Sequence, residues 1–369
     1  MFTKYKIRHY NFKLLIMVIA LAIIGIFAVG SAEPALQNRQ IGGFILGVVL
    51  MLVLSLFDYS VILNLYWVMY VVNIALLLAV IFLGEDANGA QRWLKIAGIQ
   101  FQPSELAKIL IILFLAQFIK KHYKKFNTFK MIFLCCILFA VPTALVLKQP
   151  DLSTTIVLCL VFVTVMFTAG IHYKVILGVL AVVVPVAIIF VYLVMQPDQT
   201  ILSDYQKGRI TDFLNKESSV NEGGYQQYYS EMAIGSGQLY GKGYKNNQIS
   251  SVKNADFIAE QQTDFIFAIV GEELGFVGCC IVIGLLLLIV VQCILIGLRA
   301  QDLAGRIICC GVAAQIGFQS FINIGVATGI LPNTGIPLPF VSYGLTSLIS
   351  LYMGIGIVLN IGLQPKKYQ

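Results

Sequence analysis

Residues 261–278 read QQTDFIFAIVGEELGFVG and lead from a polar segment into a hydrophobic run that continues through Leu298. About 20 apolar residues are enough for a helix to cross the hydrocarbon of a bilayer. Asp264 lies at the polar edge of this run, and Glu272 and Glu273 lie further into it. An ionised carboxylate in hydrocarbon costs several kcal/mol unless it faces protein or water, so these acids are candidate functional residues.

The composition of the whole chain agrees with a membrane location. Hydrophobic residues make up 59% of the 369 and charged residues 12%, with a mean hydropathy of +0.86. Soluble domains are about one-quarter charged. The net charge of +7 comes from short basic clusters beside apolar runs, which is typical of orientation signals and argues against nucleic-acid binding. The eight cysteines fall in apolar runs without CxxC spacing, so we predict buried thiols and neither disulfides nor zinc ligands.

About ten segments are predicted to span the membrane, so the fold class is an all-α polytopic membrane protein. The first apolar run follows a short basic segment as a signal peptide would, but it is longer than usual and a second run follows at once. We therefore expect one integral membrane domain over residues 1–369, with a large extracellular loop, residues 196–262, between helices 7 and 8. The predicted spans are 14–32, 43–57, 60–83, 104–119, 130–147, 153–170, 173–195, 275–298, 306–328 and 343–362.

The distribution of basic residues predicts the orientation. With the N-terminus inside, lysine and arginine concentrate in the inner segments, and only a few fall in short outer loops. Both termini are thus predicted to be cytoplasmic and Asp264 to lie outside. The three histidines, His9, His122 and His172, fall on the inner side. Acid–base chemistry on the outer face would therefore depend on carboxylates.

Three outer segments carry further candidate residues. Glu105 and Lys108 begin the helix after a Gly-rich loop and share one helix face, so they form a structural ion pair, line a polar cavity, or do both. Asp151 follows Pro150 and either caps a helix or joins that cavity. Arg92, beside Trp93, is an interfacial anchor or a headgroup contact.

The long loop offers two more cations. Arg209 lies among aromatic residues, and Lys242 lies in a Gly- and Tyr-rich stretch. A nucleotide phosphate loop is excluded because Ser236 and Gly243 stand where that motif needs glycine and Ser or Thr. Most of these glycines are expected in turns, although the amides of a basic loop can also cradle a diphosphate. Residues 331–344, rich in proline, are predicted to form a rigid, partly re-entrant outer loop.

Five segments together resemble the hallmark motifs of the SEDS family, which includes proteins of the RodA, FtsW and SpoVE type. The likeness runs in order along the chain, and the short tails and overall length favour the RodA type. The segments are GAQRWLKIAGIQFQPSELAK (89–108), KQPDLSTT (148–155), AIGSGQLYGKGY (233–244), EQQTDFIFAIVGEELGFVG (260–278) and LPNTGIPLPFVSYG (331–344).

The resemblance implies a function and a set of partners. Members of this family are peptidoglycan glycosyltransferases of the bacterial cytoplasmic membrane, with about ten transmembrane helices. They polymerise lipid II onto a growing lipid-linked glycan strand on the outer face, together with a class B penicillin-binding protein. The role would be in elongation and cell shape or in division.

Carried over position by position, the family's essential aspartate falls on Asp264. Its polar pair falls on Glu105 and Lys108, and the aspartate of its QPDL motif falls on Asp151. The histidine that often precedes the essential aspartate is Gln262 here, so no role for it is transferred. The glycine often found after QPDL is Ser153, and YGLTS at 343–347 replaces the common YGGSS.

Together these observations predict a mechanism. Asp264 is expected to act as the general base on the GlcNAc 4-hydroxyl of lipid II, which attacks the anomeric carbon of the strand and releases undecaprenyl diphosphate. The diphosphate needs positive charge from Arg209, Lys242, Lys108 or a divalent cation, Mg²⁺ or Mn²⁺. Glu272 and Glu273 are interpreted as structural or cavity-lining. The rival hypotheses are a lipid II transporter and a non-catalytic scaffold for the penicillin-binding protein.

Overall fold

The computed structural model describes residues 10–87, 90–96, 99–175, 177–178, 181, 185, 223–245, 258 and 260–364. Within them the chain is a helical bundle with one small antiparallel sheet in the order β1-β2-β3. The strands are β1 Glu85–Ala87, β2 Ala90–Ile96 and β3 Ile99–Phe101. The helices are α1 Phe12–Ala32, α2 Pro34–Leu56, α3 Tyr59–Asn64, α4 Tyr66–Leu83, α5 Pro103–Lys121, α6 Phe129–Lys148, α7 Leu152–Thr168, α8 Gly223–Ser236, α9 Ile266–Leu298, α10 Leu303–Ala327 and α11 Leu345–Leu363.

The predicted fold class is confirmed. Seven described helices, α1, α2, α4, α6, α9, α10 and α11, are long and apolar enough to cross a membrane. α5 is of similar length but carries four charges, and α7 is apolar with 17 residues. Every predicted span except 173–195 coincides with a described helix or, for 60–83, with the pair α3 and α4. The span 173–195 and most of the loop 196–262 lie outside the described residues.

Two helices begin well before the predicted spans that they contain. α2 begins at Pro34, where proline suits the first helical position, and not near residue 43. α9 begins at Ile266 and not at Gly275. Hydropathy alone places these starts too late because polar residues in the first turns make contacts within the protein, which lets the helix continue through them.

Helices α5, α10 and α11 form the centre of the bundle. Nearly every residue of α5 from Pro103 to Ile119 is buried, and most of the apolar windows of α10 and α11 are buried too. Small residues permit the close approach of these helices: a Cβ added to Gly311 would lie 2.8 Å from Ile112, and one added to Gly354 would lie 2.9 Å from Ile109. Because protein surrounds most of α5, the side chains of Glu105 and Lys108 are buried among other helices, whereas Lys120 and Lys121 at its end are exposed.

The cysteine prediction is confirmed in part. All eight thiols are free, so no disulfide forms. However, Cys136, Cys159 and Cys280 are exposed on their helices, so the prediction that all eight are buried is wrong. The outer face of a membrane helix is as apolar as its buried face, and sequence alone does not separate the two.

Charged and polar residues gather at the two ends of the bundle. We call one the basic end, formed by residues 10–13, 120–128 and 299–303. Here Lys120 Nζ lies 2.6 Å from Asp302. We call the other the loop end, formed by the sheet and by residues 149–151, 260–265 and 328–344. Asp264, Glu105 and Asp151 all lie toward the loop end because α5, α7 and α9 begin there.

Candidate active site

Asp264 lies in the turn that precedes α9, and its side chain is half-buried. The turn is fixed by its backbone. The Asp264 carbonyl accepts a hydrogen bond from the Asn323 side-chain amide at 2.7 Å, and the same amide donates to the Ile336 carbonyl at 2.7 Å. The Ser342 hydroxyl donates to the Thr263 carbonyl at 2.5 Å. The backbone of the carboxylate is thus held by α10 and by the proline-rich loop together.

The proline-rich loop, residues 331–344, is non-helical, as predicted, and most of its residues from Ile336 to Ser342 are buried. Leu338 N–H donates to the Ser342 hydroxyl at 2.7 Å, and Tyr343 N–H donates to the Gln262 carbonyl at 2.9 Å. Phe340 takes a left-handed φ of 64° and is buried. Irregular backbone at membrane depth needs internal partners of this kind. The loop therefore forms a rigid wall beside the turn that carries Asp264.

Glu105 and Lys108 form the ion pair that their spacing predicts. Their N···O distance is 2.7 Å, and their side chains are only 3% and 1% exposed. Glu105 lies in the first turn of α5, where the helix dipole favours an acid. Its second carboxylate oxygen is buried and makes no hydrogen bond among the described residues. The opposite charges of the two side chains cancel. Substrate binding by Glu105 and Lys108 stays a prediction.

Asp151 caps a helix, as one of its two interpretations predicts, and its place in a polar cavity with Glu105 and Lys108 stays a prediction. Its Oδ1 accepts the Thr154 N–H at 3.1 Å, so it caps α7. Its Oδ2 accepts hydrogen bonds from the Gln102 amide and the Ser104 hydroxyl, each at 3.4 Å, just before Glu105. Asp151 is buried. The cap of α7 and the start of α5 thus share one polar cluster.

Arg92 ties the sheet to the α6–α7 connection. Its guanidinium donates to the Gln149 carbonyl at 3.3 Å and to the Pro150 carbonyl. Carbonyl partners orient the side chain without neutralising it, and no carboxylate forms an ion pair with it among the described side chains. Arg92 is therefore placed near Asp151 with a charge still able to attract an anion.

Helix α9 is broken at Gly275, whose φ of 66° and ψ of −163° are not helical. In an unbroken helix the N–H groups of Phe276 and Val277 would bond the carbonyls of Glu272 and Glu273. The break separates these partners, and each would be left unsatisfied at a cost of about 1–3 kcal/mol.

A glycine-rich segment, residues 237–245, satisfies all four groups, and we call it the crossing loop. Lys242 N–H donates to the Glu272 carbonyl at 2.9 Å, and Gly243 N–H donates to the Glu273 carbonyl at 3.1 Å. Phe276 and Val277 donate in turn to the carbonyls of Gln238 and Leu239, at 2.8 and 3.1 Å. A Cβ at Gly241 would lie 2.1 Å from the Glu273 carbonyl oxygen, so this approach requires glycine.

The acids of α9 hold the same loop with their side chains. Lys242 Nζ lies 2.8 Å from Glu272, with 17% of the lysine side chain exposed. The Glu273 carboxylate accepts hydrogen bonds from the Ser31 hydroxyl and from the Lys245 N–H. The structural interpretation of Glu272 and Glu273 is confirmed.

Two backbone amides of the basic loop, those of Lys242 and Gly243, donate to α9 in this arrangement and are not available to a diphosphate. Substrate binding by the Lys242 side chain stays a prediction. Arg209 lies outside the described residues. Within the described part of the chain, no three His, Cys, Asp or Glu side chains come together as a metal-binding group. A divalent metal cation and a basic side chain thus stay alternative predictions for the group that neutralises the diphosphate.

A stripe of amides on α10 was not anticipated from the sequence. Gln315, Gln319 and Asn323 recur every fourth residue, so they lie on one helix face. Gln315 and Gln319 are 0% exposed, and their side-chain amides have no hydrogen-bond partner among the described residues. The four-residue spacing of polar residues in an apolar span was the signal that could have revealed them.

The stripe runs beside the ion pair of α5. α10 and α5 run in opposite directions, and Gly311 lies against Ile112. Moving four residues along each helix brings Gln315 level with Lys108. A further turn brings Gln319 level with Glu105. The centre of the bundle thus carries buried polar side chains at successive levels from Asn323, which bonds the Asp264 carbonyl, to Lys108, and we call this set the polar interior.

This combination of a polytopic helical bundle and a polar, carboxylate-bearing loop end agrees with comparisons against known proteins. The family model for the FtsW, RodA and SpoVE cell cycle proteins matches residues 6–367. The chain belongs to this family.

Particular relatives are similar over nearly their whole length. The peptidoglycan glycosyltransferase MrdB of Escherichia coli K12 is 36% identical over 356 residues, covering 96% of this chain and 93% of MrdB. The probable peptidoglycan glycosyltransferase FtsW of Geobacter metallireducens is 34% identical, covering 98% of this chain and 96% of FtsW.

Solved structures show the same fold. A chain from a peptidoglycan synthase complex that coordinates polymerization and crosslinking superimposes with a TM-score of 0.78 at 30% identity, covering 96% of this chain and 97% of that one. The rod shape determining protein RodA of Thermus thermophilus superimposes with a TM-score of 0.69 at 27% identity, covering 96% of each chain. The chain is accordingly a multi-pass inner-membrane protein of bacterial type.

Proposed function

We propose that this protein is a peptidoglycan glycosyltransferase that polymerises lipid II on the outer face of the cytoplasmic membrane. The observation that carries the proposal is the placement of Asp264. Its half-buried carboxylate lies on a turn fixed by α10 and the proline-rich loop, at the end of the bundle where the other candidate residues lie. The full-length similarity to proteins named peptidoglycan glycosyltransferase supports the same activity.

The reaction is a single displacement. Asp264 takes the proton of the GlcNAc 4-hydroxyl of one lipid II as that oxygen attacks the anomeric carbon of the MurNAc at the reducing end of the lipid-linked strand. The bond from this carbon to the diphosphate oxygen breaks, its electrons leave with undecaprenyl diphosphate, and the α linkage becomes β-1,4. A positioned base contributes about 100- to 10,000-fold to such a step.

The leaving diphosphate needs a positive charge that is not already compensated. Lys108 and Lys242 each contact a carboxylate. Among the cationic candidates in the described part of the chain, Arg92 contacts carbonyl oxygens and has no carboxylate partner. Arg92 is therefore the described residue best suited to the diphosphate, and Glu105 with Lys108 and Asp151 is assigned to the sugar hydroxyls or to the shape of the polar interior.

The orientation and partner follow from the same proposal. In this proposal both termini lie in the cytoplasm, as the basic residues predict, so the loop end meets lipid II outside. A class B penicillin-binding protein is the expected partner, since a relative of this fold forms part of a peptidoglycan synthase complex.

The test is strand formation by purified protein from lipid II, resolved on gels, with the penicillin-binding partner present and its transpeptidase blocked. Asp264→Asn is expected to lower the rate about 100- to 10,000-fold. The matched control is Glu260→Gln, because Glu260 is an exposed carboxylate in the same turn. That variant should retain most of the activity.

Two outcomes would reject parts of this proposal. Equal polymer from wild type and Asp264→Asn would remove Asp264 from the chemistry. No polymer from wild type, combined with lipid II transfer between the leaflets of proteoliposomes, would replace the enzyme by a transporter. Circular dichroism and size-exclusion profiles identical to wild type would show that each variant is folded.

A further inference from the structure

A cavity with both polar and apolar walls lies at the basic end, away from the candidate active site. It has a volume of approximately 560 Å³ and lies between the beginning of α1 and the end of α9. Its walls include two cations, Lys13 and Arg299, and two side-chain amides, Asn11 and Gln292. The residues that carry the proposed glycosyl transfer lie at the opposite ends of the helices, so this cavity has no part in that reaction.

The two cations of the cavity have no carboxylate partner among the residues that the structure describes. Lys13 and Arg299 are exposed, and neither forms an ion pair with a carboxylate in the described ranges. Two like charges on one cavity repel each other unless an anion lies between them. The planar guanidinium of arginine and the ammonium of lysine are both well suited to a phosphate group.

The amides make this cavity a formed site. Asn11 accepts the Leu14 N–H at 3.0 Å and caps α1. It also donates to Gln292 Oε1 at 3.1 Å, which joins the start of α1 to the last turns of α9. The amide nitrogen of Gln292 makes no further hydrogen bond within the described chain. The positive-inside rule accounts for basic residues at this end, but it does not require that two of them share a walled cavity.

The cavity lies beside exposed apolar residues of the same two helices. Leu295 lies in its wall, and Leu295, Leu298 and Ile16 are exposed apolar residues on the same two helices. A ligand held here would therefore have an anionic group beside the two cations and a hydrocarbon part along α1 and α9. Phospholipids of the inner leaflet carry these two parts in this order.

We propose that this cavity binds the headgroup phosphate of an anionic phospholipid, with Lys13 and Arg299 on the phosphate and Gln292 donating to it. Basic pockets between membrane helices on the cytoplasmic side are suited to such headgroups. The bound lipid bridges the two helices that meet here, one of which carries Asp264 at its other end.

The test compares lipid retention by native mass spectrometry in detergent, with equimolar phosphatidylglycerol and phosphatidylcholine of the same acyl chains. Each cation adds to the binding free energy of an anionic headgroup. For the two cations together we expect a preference for the anionic lipid of about 30-fold. Lys13→Gln with Arg299→Gln should abolish most of it. The matched control, Lys130→Gln with Lys174→Gln, removes two exposed cations of the same end that lie outside the cavity and should keep the preference.

Several outcomes would overturn the proposal. One is equal retention of both lipids by wild type. Another is an equal loss of the preference for phosphatidylglycerol in the cavity variant and the control, which would indicate only an effect of general surface charge. Displacement of phosphatidylglycerol by millimolar inorganic phosphate would indicate a phosphate site with no lipid requirement. Displacement by an acidic peptide would indicate a protein partner. Arg299→Lys, which keeps the charge, should retain an intermediate preference even if the double variant folds poorly.

Discussion

Helix α5 carries an ion pair at each end, and the two pairs are alike in length and unlike in surroundings. Glu105 and Lys108 at the loop end are 2.7 Å apart and almost fully buried. Lys120 and Asp302 at the basic end are 2.6 Å apart, with 39% and 24% of their side chains exposed. Water can replace a partner in the second pair and cannot do so in the first. Charge is therefore present at both ends of this helix, and burial is what distinguishes the end proposed to carry the reaction.

The largest effect on stability is expected from breaking the buried pair. Lys108→Met should lower the free energy of unfolding by about 3–5 kcal/mol, because it leaves the Glu105 carboxylate buried without a counterion. Glu105→Gln with Lys108→Met removes both charges and should recover much of that loss. Thermal denaturation in detergent measures both. A single variant as stable as wild type would mean that water reaches Glu105, and would contradict the contrast between the two pairs.

A smaller effect is expected at the crossing loop, which links the loop end to α9. Gly241→Ala should destabilise the protein by about 2–4 kcal/mol, since its φ of 79° is strained for alanine and its Cβ meets the Glu273 carbonyl. Gly243→Ala is the matched control because its φ is 93° with no atom within 4 Å of the new Cβ. It should cost about 1–2 kcal/mol, from strain alone.

The same pair of glycine variants reports on the active site. If the crossing loop holds α9 at its break, Gly241→Ala should also lower the rate of strand formation, while Gly243→Ala leaves it close to wild type. Equal effects of the two substitutions on stability and rate would show that backbone strain alone, and not the contact with Glu273, is what matters at Gly241.

The smallest effect is expected at the exposed pair. Lys120→Met should change the free energy of unfolding by about 0.2–1 kcal/mol, because the pair is open to solvent and salt. Asp302 would keep its bonds to the Gly305 N–H at 2.7 Å and the Tyr59 hydroxyl at 2.9 Å. The same denaturation measurement at low and high salt checks this. A loss comparable to that of Lys108→Met would show that the two ends of α5 do not differ as described.

The sequence by itself determined the class of the protein, most of its helices and its candidate acids. Helices that face lipid must be long and apolar, so their length and hydropathy can be read directly from the chain. Charged residues are rare in such segments because they are costly, so Asp264, Glu105 and Lys108 stand out without any knowledge of their contacts. The cap formed by Asp151 is similarly local, since its partner is three residues away.

Only the tertiary structure decided which polar groups meet. Ser31 and Glu273 are 242 residues apart in the chain, and Asn323 reaches the Asp264 carbonyl across 59 residues. The break in α9 at Gly275 is stable because the crossing loop provides the missing hydrogen bonds. Such partners cannot be predicted from the residues that neighbour each group in the sequence. Buried polar groups in a membrane protein are satisfied by segments distant in sequence, and these contacts exist only once the bundle has assembled.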